Sequence, residues 1–171
     1  NEPFIRRLLP GQEVALLTLA HRRLGLITAP GNPLGLHTLH DLLRPQVRFI
    51  NRQEGSGTRV WLDAQLHSKG IPKTAIHGFS EEKMTHSEVA QAISKGLADV
   101  GLGIESASLS LGLDFYPLTT ERYDLAIPAS TWNEKNLHTL KKWLDLPQTK
   151  TAINHLGGYD THETGLLRWI A

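Results

Sequence analysis

The stretch 51-NRQEGSGTRVWLD-63 gathers two glycines, a serine, a threonine and an arginine into five successive positions. Three standard chemistries fail on spacing. A phosphate-binding P-loop needs GxxxxGK[ST], and neither that interval nor the lysine is present. A dinucleotide fingerprint needs a third glycine where Val60 stands. A GxSxG nucleophile elbow needs one more residue between Gly55 and Ser56. Two readings remain. The first amides of a helix have no intrahelical partner and lie at the positive end of its dipole, so this turn can hold an anion, aided by the Ser56 and Thr58 hydroxyls. Alternatively, Ser56 or Thr58 only caps the helix and Arg59 pairs with Asp63 one turn on. The stretch by itself admits both.

A second helix start, 85-THSE-88, has the capping-box pattern: the Thr85 hydroxyl accepts a backbone N–H while Glu88 reaches back. It also places the side chains of Thr85, His86 and Ser87 at one helix N-terminus. Two polar helix starts, each after a strand, suggest one crevice at the strands' carboxyl ends, where α/β sheets bind ligands. Glu105 either faces that crevice or occupies the first turn of a helix. Nine histidines raise the question of a metal. His37 and His40 are spaced i, i+3, and His155 and His162 flank a glycine turn. Without cysteines or a matching acidic cluster they read as solvated or capping residues, and no metal site is expected.

The elements that must position these residues alternate. Val14 to Leu19 and Leu24 to Thr28 read as two short strands separated by the polar turn His21-Arg22-Arg23. The segment 31-GNPLGLHTLHDLLR-44 reads as a loop and then a helix, with Leu36, Leu39, Leu42 and Leu43 on one face. A strand at Val47 to Ile50 leads through 51-NRQEGSG-57 into a helix from about Thr58 to Lys69. The helix opening at Thr85 closes at Gly96, and the apolar strand 97-LADVGLGI-104 follows. The region 113–128 supplies two more strands, and helices at 132–145 and roughly 148–156 precede 157-GGYDTHETG-165. This order predicts α/β layering with a largely parallel sheet.

Composition bounds the function classes. The chain has 171 residues, 40% hydrophobic and 20% charged, with a net charge of +1. Length allows one domain or two small lobes. No basic stripe emerges, so no direct nucleic-acid contact is expected. The absence of cysteine excludes disulfides, thiolate catalysis and iron–sulfur clusters. The apolar run 14-VALLTLA-20 is too short to span a bilayer, and no membrane partner is expected.

The runs 24-LGLITAPGNPLGLHTLHDLL-43, 49-FINRQEGSGTRVWLD-63, 85-THSEVAQAISKGLADVGLGI-104, 113-LDFYPLTTERYDLAIP-128 and 157-GGYDTHETG-165 together resemble the substrate-binding-protein-like domain of molybdate-related regulators and molybdopterin-biosynthesis-like proteins. That family looks like the type 2 periplasmic binding-protein fold. The resemblance covers nearly the whole chain, and its most specific blocks are NRQ-x-GSGTR and THSEVA…GLADVGLGI. It implies an α/β fold of two lobes with mainly parallel sheets. Residues 1–30 with 122–171 form the first lobe, and 31–121 form the second, which carries the anion-binding helix starts. Residues 1–13 do not match the family's earlier β-α-β portion, so part of the first lobe is expected to be absent from this chain.

What the resemblance implies for the site is a ligand surface on Asn51, Arg52, Gln53, Ser56, Gly57, Thr58 and Arg59, and on Thr85, His86 and Ser87. The expected ligand is a small oxyanion such as molybdate or tungstate, bound without catalysis. No other cofactor is implied. A second reading is a domain of molybdopterin-cofactor biosynthesis holding a phosphorylated pterin, with Glu105, His86 and Asp124 as its available acid–base groups. A third is a dimerisation module, since related regulator domains pair as homodimers. The expected location is cytoplasmic, or periplasmic if the full gene carries a signal peptide.

Overall fold

The computed structural model describes residues 1–170. Its elements in chain order are α1 (Glu2–Leu8), β1 (Val14–Thr28), β2 (Phe49–Arg52), α2 (Gly57–Ser68), β3 (Glu82–Lys83), α3 (His86–Ser94), β4 (Val100–Ile104), α4 (Glu105–Leu109) and β5 (Asp114–Pro128). They continue as α5 (Ala129–Trp132), α6 (Lys135–Asp145), α7 (Pro147–Asn154), β6 (Tyr159–Asp160) and β7 (Leu167–Ile170). The chain forms two compact units, one of residues 1–22 with 120–171 and one of 23–119. The strands β1 and β5 contribute to both.

In the unit 23–119 the strand order is β3-β2-β4-β1-β5. β2 pairs in parallel with β3 and with β4, whereas β1 runs antiparallel to β4, Leu24 opposite Ile104 and Thr28 opposite Val100. The sheet is therefore mixed, and the expectation of mainly parallel pairing holds only for β2, β3 and β4. Strands that pack on both faces read as nearly continuous apolar runs, and these do. Leu24, Leu26, Val100 and Leu102 join Leu62 and Leu66 of α2 in one core. Ile27 and Ile50 join Val89, Ala90, Ala92 and Ile93 of α3 and Ala107 of α4 in another. Thus α2 covers one face and α3 with α4 the other.

Two glycines make room on the face that α3 covers, Gly101 for α3 itself and Gly103 for Ile27 of β1. A Cβ on Gly101 would lie 2.5 Å from Val89 Cγ1, and one on Gly103 would lie 2.6 Å from Ile27 Cδ1. A strand glycine marks a place where another element approaches the backbone, and the VGLG alternation of β4 carries that information.

In the unit 1–22 with 120–171, β6 and β7 pair antiparallel with the first part of β1, His21 opposite Asp160 and Val14 opposite Ile170. Ala15, Leu17, Ile127, Trp132 and Leu144 form its core. Asp124 sits here with its side chain 1% exposed, accepting from Thr18 Oγ1 at 2.9 Å, Arg122 Nε at 2.8 Å and Asn1 Nδ2 at 2.6 Å. Burial pushes its carboxyl up, and these hydrogen bonds together outweigh burial and hold it below the usual range.

Three expected elements differ. The polar turn at His21-Arg22-Arg23 does not break β1, because each residue is ion-paired, to Glu163, Glu121 and Glu105 in turn, and none is a backbone breaker. The helix expected within 31–44 is only a 3-10 turn at Leu39–Leu43. Gly31 and Gly35 hold φ of +75° and +59°, which keeps the chain out of the helical region until Thr38. The two strands expected in 113–128 are one continuous β5.

Candidate functional site

The site is built where parallel strands end and helices begin. β2 exits through Arg52 and Gln53, and α2 starts at Gly57 with Ser56 as its cap. The Ser56 hydroxyl accepts from the Arg59 amide at 3.2 Å. β3 exits through Lys83, and α3 starts at His86 with Thr85 as its cap. The Thr85 hydroxyl accepts from the Glu88 amide at 3.1 Å, and Glu88 Oε2 accepts from the Thr85 amide at 2.9 Å, so the predicted capping box is present. Both hydroxyls are therefore committed to their own helices. Among the described residues, the amides of Gly57, Thr58 and Ser87 have no hydrogen-bond partner. These first-turn donors are what an anion could accept from.

The two helix starts share one edge. Asn51 lies opposite Glu82 and Arg52 opposite Lys83 in the parallel register. The Gln53 amide donates to the Lys83 carbonyl at 3.0 Å, and Arg52 Nη2 donates to the Met84 carbonyl at 2.8 Å. His86 reaches toward β4, its Nδ1 3.6 Å from where a Cβ on Gly103 would stand. The order β3-β2-β4, with α2 on one face and α3 and α4 on the other, makes the gap between the carboxyl ends of β2 and β4 a topological switch point. That is the usual ligand crevice of an open α/β sheet.

The ten predicted site residues do not all play one part. Asn51 is fully buried and structural: its Nδ2 donates to the Phe79 carbonyl at 3.0 Å and its Oδ1 accepts from the Arg52 amide at 2.9 Å. Arg52 is 8% exposed and braces the β3–α3 connection, with Nε donating to Gln53 Oε1 at 3.2 Å. Arg59 bonds Asp63 at 3.1 Å and Glu82 at 2.6 Å while its guanidinium lies 4.4 Å from the Phe79 ring centroid. Two carboxylates thus neutralise Arg59, and its role is to brace the loop. Ser56, Gly57, Thr58, Thr85, His86 and Ser87 form the edge itself.

One pair has a partner that sequence spacing did not reveal. Glu105 opens α4 at the end of β4, and Arg23 at the facing end of β1 ion-pairs with it, Nη2 to Oε1 at 2.6 Å. Antiparallel β1–β4 register makes this contact, which no local pattern announces. Glu105 is then a paired first-turn residue. The edge offers neutral donors, and Arg59 and Glu105 beside it are ion-paired.

Comparison with known proteins bears on the family and the fold. A model of the PBP superfamily domain matches residues 1–145. YvgK of Bacillus subtilis (strain 168), described as uncharacterized, is 36% identical over 165 residues, which is 96% of this chain and 53% of that protein. The chain therefore spans about half the length of that relative. Among solved structures, a Clostridium difficile substrate-binding domain assigned to a molybdenum ABC transporter superposes with a TM-score of 0.60 at 15% identity, over 85% of this chain and 66% of that one. PEB3, from Campylobacter jejuni, in its L-phospholactate-bound form superposes with a TM-score of 0.61 at 17% identity, over 86% of this chain and 68% of that one. At such identities the likeness is one of fold, and it is the type 2 periplasmic binding-protein fold. With the family model covering most of its length, the chain belongs to the PBP superfamily, whose domains bind small ligands.

Proposed function

We propose that this chain is a non-catalytic binding domain for a small tetrahedral oxyanion, molybdate or tungstate first among them, serving a molybdenum-related regulator or receptor. The observation that carries the reading is the convergence of two helix starts with unpaired first-turn amides at the carboxyl edge of β2 and β3. A dianion held by oriented neutral donors is selected by size, because each donor fixes the position of one oxygen. The charged neighbours support this assignment. Arg59 and Arg23 are engaged in ion pairs, so the charges of these two residues are already balanced and the oriented amides are left as the donors. The names of two solved relatives, one linked to molybdenum transport and one bound to L-phospholactate, are in keeping with an anionic ligand.

Thermal unfolding of the chain with sodium molybdate, tungstate, sulfate, phosphate and phospholactate tests it. Ligand at a hundredfold over Kd stabilises by about 2.7 kcal/mol. For a chain of this size that is a rise of roughly 5–10 °C in Tm. The expected order places molybdate and tungstate above sulfate. A larger response to phospholactate would redirect the reading to phosphorylated acids. No rise with any of the five, for this chain and for a protein of the relative's full length, would sink it.

A further inference from the structure

In the unit 1–22 with 120–171, a group of side chains outside the helix-start edge has residue types that could hold a metal ion. His21 lies near the middle of β1, and His162 and Glu163 occupy the turn after β6. Their ligand atoms all lie within 4.8 Å of one another. His21 Nε2 is 2.7 Å from Glu163 Oε2, although the residues are 142 apart in sequence. The two imidazole rings stack, with centroids 4.7 Å apart and planes at 26°.

We propose that His21, His162 and Glu163 bind a divalent transition-metal ion of the imidazole-preferring kind, with Zn²⁺ as the reference ion. Two nitrogens and one carboxylate oxygen suit zinc, whose three-ligand sites keep the fourth position for water or another oxygen donor. Bonds of about 2.1 Å at tetrahedral angles separate ligand atoms by roughly 3.4 Å. The cluster therefore needs only small side-chain rotations to close on an ion.

Two features go beyond mere proximity. Asp160 accepts from the His162 amide at 2.9 Å and contacts His162 Nδ1 at 2.8 Å. That fixes the ring and leaves Nε2 as its ligand atom, the carboxylate–histidine–metal arrangement that orients and strengthens imidazole ligands. The turn is also pinned to β1: Thr164 Oγ1 donates to the Leu19 carbonyl at 2.7 Å, and the Gly165 amide to the Thr18 carbonyl at 2.9 Å. Arg168 holds Glu163 by the other oxygen, Nη2 to Oε1 at 2.7 Å, so Oε2 remains for the ion once His21 gives up its hydrogen bond. The competing arrangement is a plain His–Glu–Arg ion-pair chain, and the experiment separates the two.

The tag-free chain, stripped with chelator, is titrated with zinc chloride by calorimetry, and Tm is followed in parallel. The expected result is one Zn²⁺ per chain with a rise in Tm. His162→Ala and Glu163→Gln should each lower the association constant at least tenfold and remove the rise. His162 is largely exposed, so its loss leaves the fold intact. Magnesium, which prefers an all-oxygen octahedron, should bind far more weakly. Absence of saturable binding, binding unchanged in His162→Ala, or magnesium binding equal to zinc would each overturn the proposal. Its fate is independent of the oxyanion reading, because His162→Ala leaves every residue of the helix-start edge in place.

Discussion

Arg52 Nη2 donates to the Met84 carbonyl at 2.8 Å, joining the exit of β2 to the residue just before the α3 cap. This one bond links the two helix starts that make the candidate edge. Arg52 is nearly buried, and its removal leaves the Met84 carbonyl without that donor. Loss of a buried partner costs about 1–3 kcal/mol. Arg52→Ala should therefore lower stability by roughly that amount, about 1–3 kcal/mol, in urea unfolding. It should also weaken oxyanion binding, since the α3 start loses one of its ties to the α2 start, leaving the Gln53–Lys83 and Arg59–Glu82 contacts. Arg52→Lys should recover little, because an ammonium lacks the planar fork that bonds both Gln53 and Met84.

The amide of Gly57 can be removed almost without touching the fold. Gly57 is the first helical residue of α2, and a Cβ there would meet nothing within 4 Å. Proline is favoured at that position because its missing N–H would be unpaired anyway. The preceding Ser56 already has φ −68° and ψ 146°, the extended conformation proline demands of its predecessor. Gly57→Pro should therefore shift stability by less than about 1 kcal/mol. It should also abolish or strongly reduce the Tm rise given by molybdate. A retained rise would mean that the anion does not accept from this amide.

The local parts of the site were legible in the sequence and the long-range parts were not. Short-range capping chemistry announced both helix starts: Thr85 caps α3 as read, and of Ser56 and Thr58, both open as the cap of α2, Ser56 takes the place. Asn51, Arg52 and Arg59 belong to the same stretch, yet their structural duty depends on Phe79, Met84 and Glu82, which only the parallel β2–β3 register brings near. The His21-Arg22-Arg23 run looked like a turn because charge is a poor guide to strands whose polar residues find partners far along the chain. The same blindness hid the His21–Glu163 contact, since metal-type spacing is sought among neighbours in sequence. Gly101 and Gly103 carried a packing signal in plain view: alternate glycines in an apolar strand mark the face that α3 approaches.

That packing signal yields a graded prediction. A Cβ on Gly101 would stand 2.5 Å from Val89 Cγ1 and 2.9 Å from the Ile50 carbonyl oxygen, which is backbone and cannot turn aside. A Cβ on Gly103 would stand 2.6 Å from Ile27 Cδ1, the end of a flexible side chain. Overpacking of a core costs about 1–3 kcal/mol. Gly101→Ala should fall at the upper end and Gly103→Ala at the lower, measured as urea midpoints with unchanged m-values. Gly103→Ala should still affect ligand response, since His86 lies beside that position. Equal costs at the two sites would show that the Ile50 carbonyl of β2 yields as readily as the Ile27 side chain of β1.

Acid titration should expose the Glu163 cluster. The hydrogen bond from His21, followed by that from Arg168, holds the Glu163 carboxyl down at about 2 from an ordinary 4.5. A carboxyl whose folded pKa is depressed adds stability that is complete above its unfolded value, and the contribution fades as pH falls toward the folded one. Its contribution should therefore be full above about pH 4.5 and lost progressively down to about pH 2. Chelator-treated protein unfolded by urea across that window should lose stability with falling pH, and Glu163→Gln should lose less over the same range. His21→Ala should also flatten the slope, since it removes the first of the two donors. Parallel curves for the parent and Glu163→Gln would show that Glu163 gains nothing from these partners on folding, and the acid sensitivity would then lie elsewhere, with the buried Asp124 as the first group to examine.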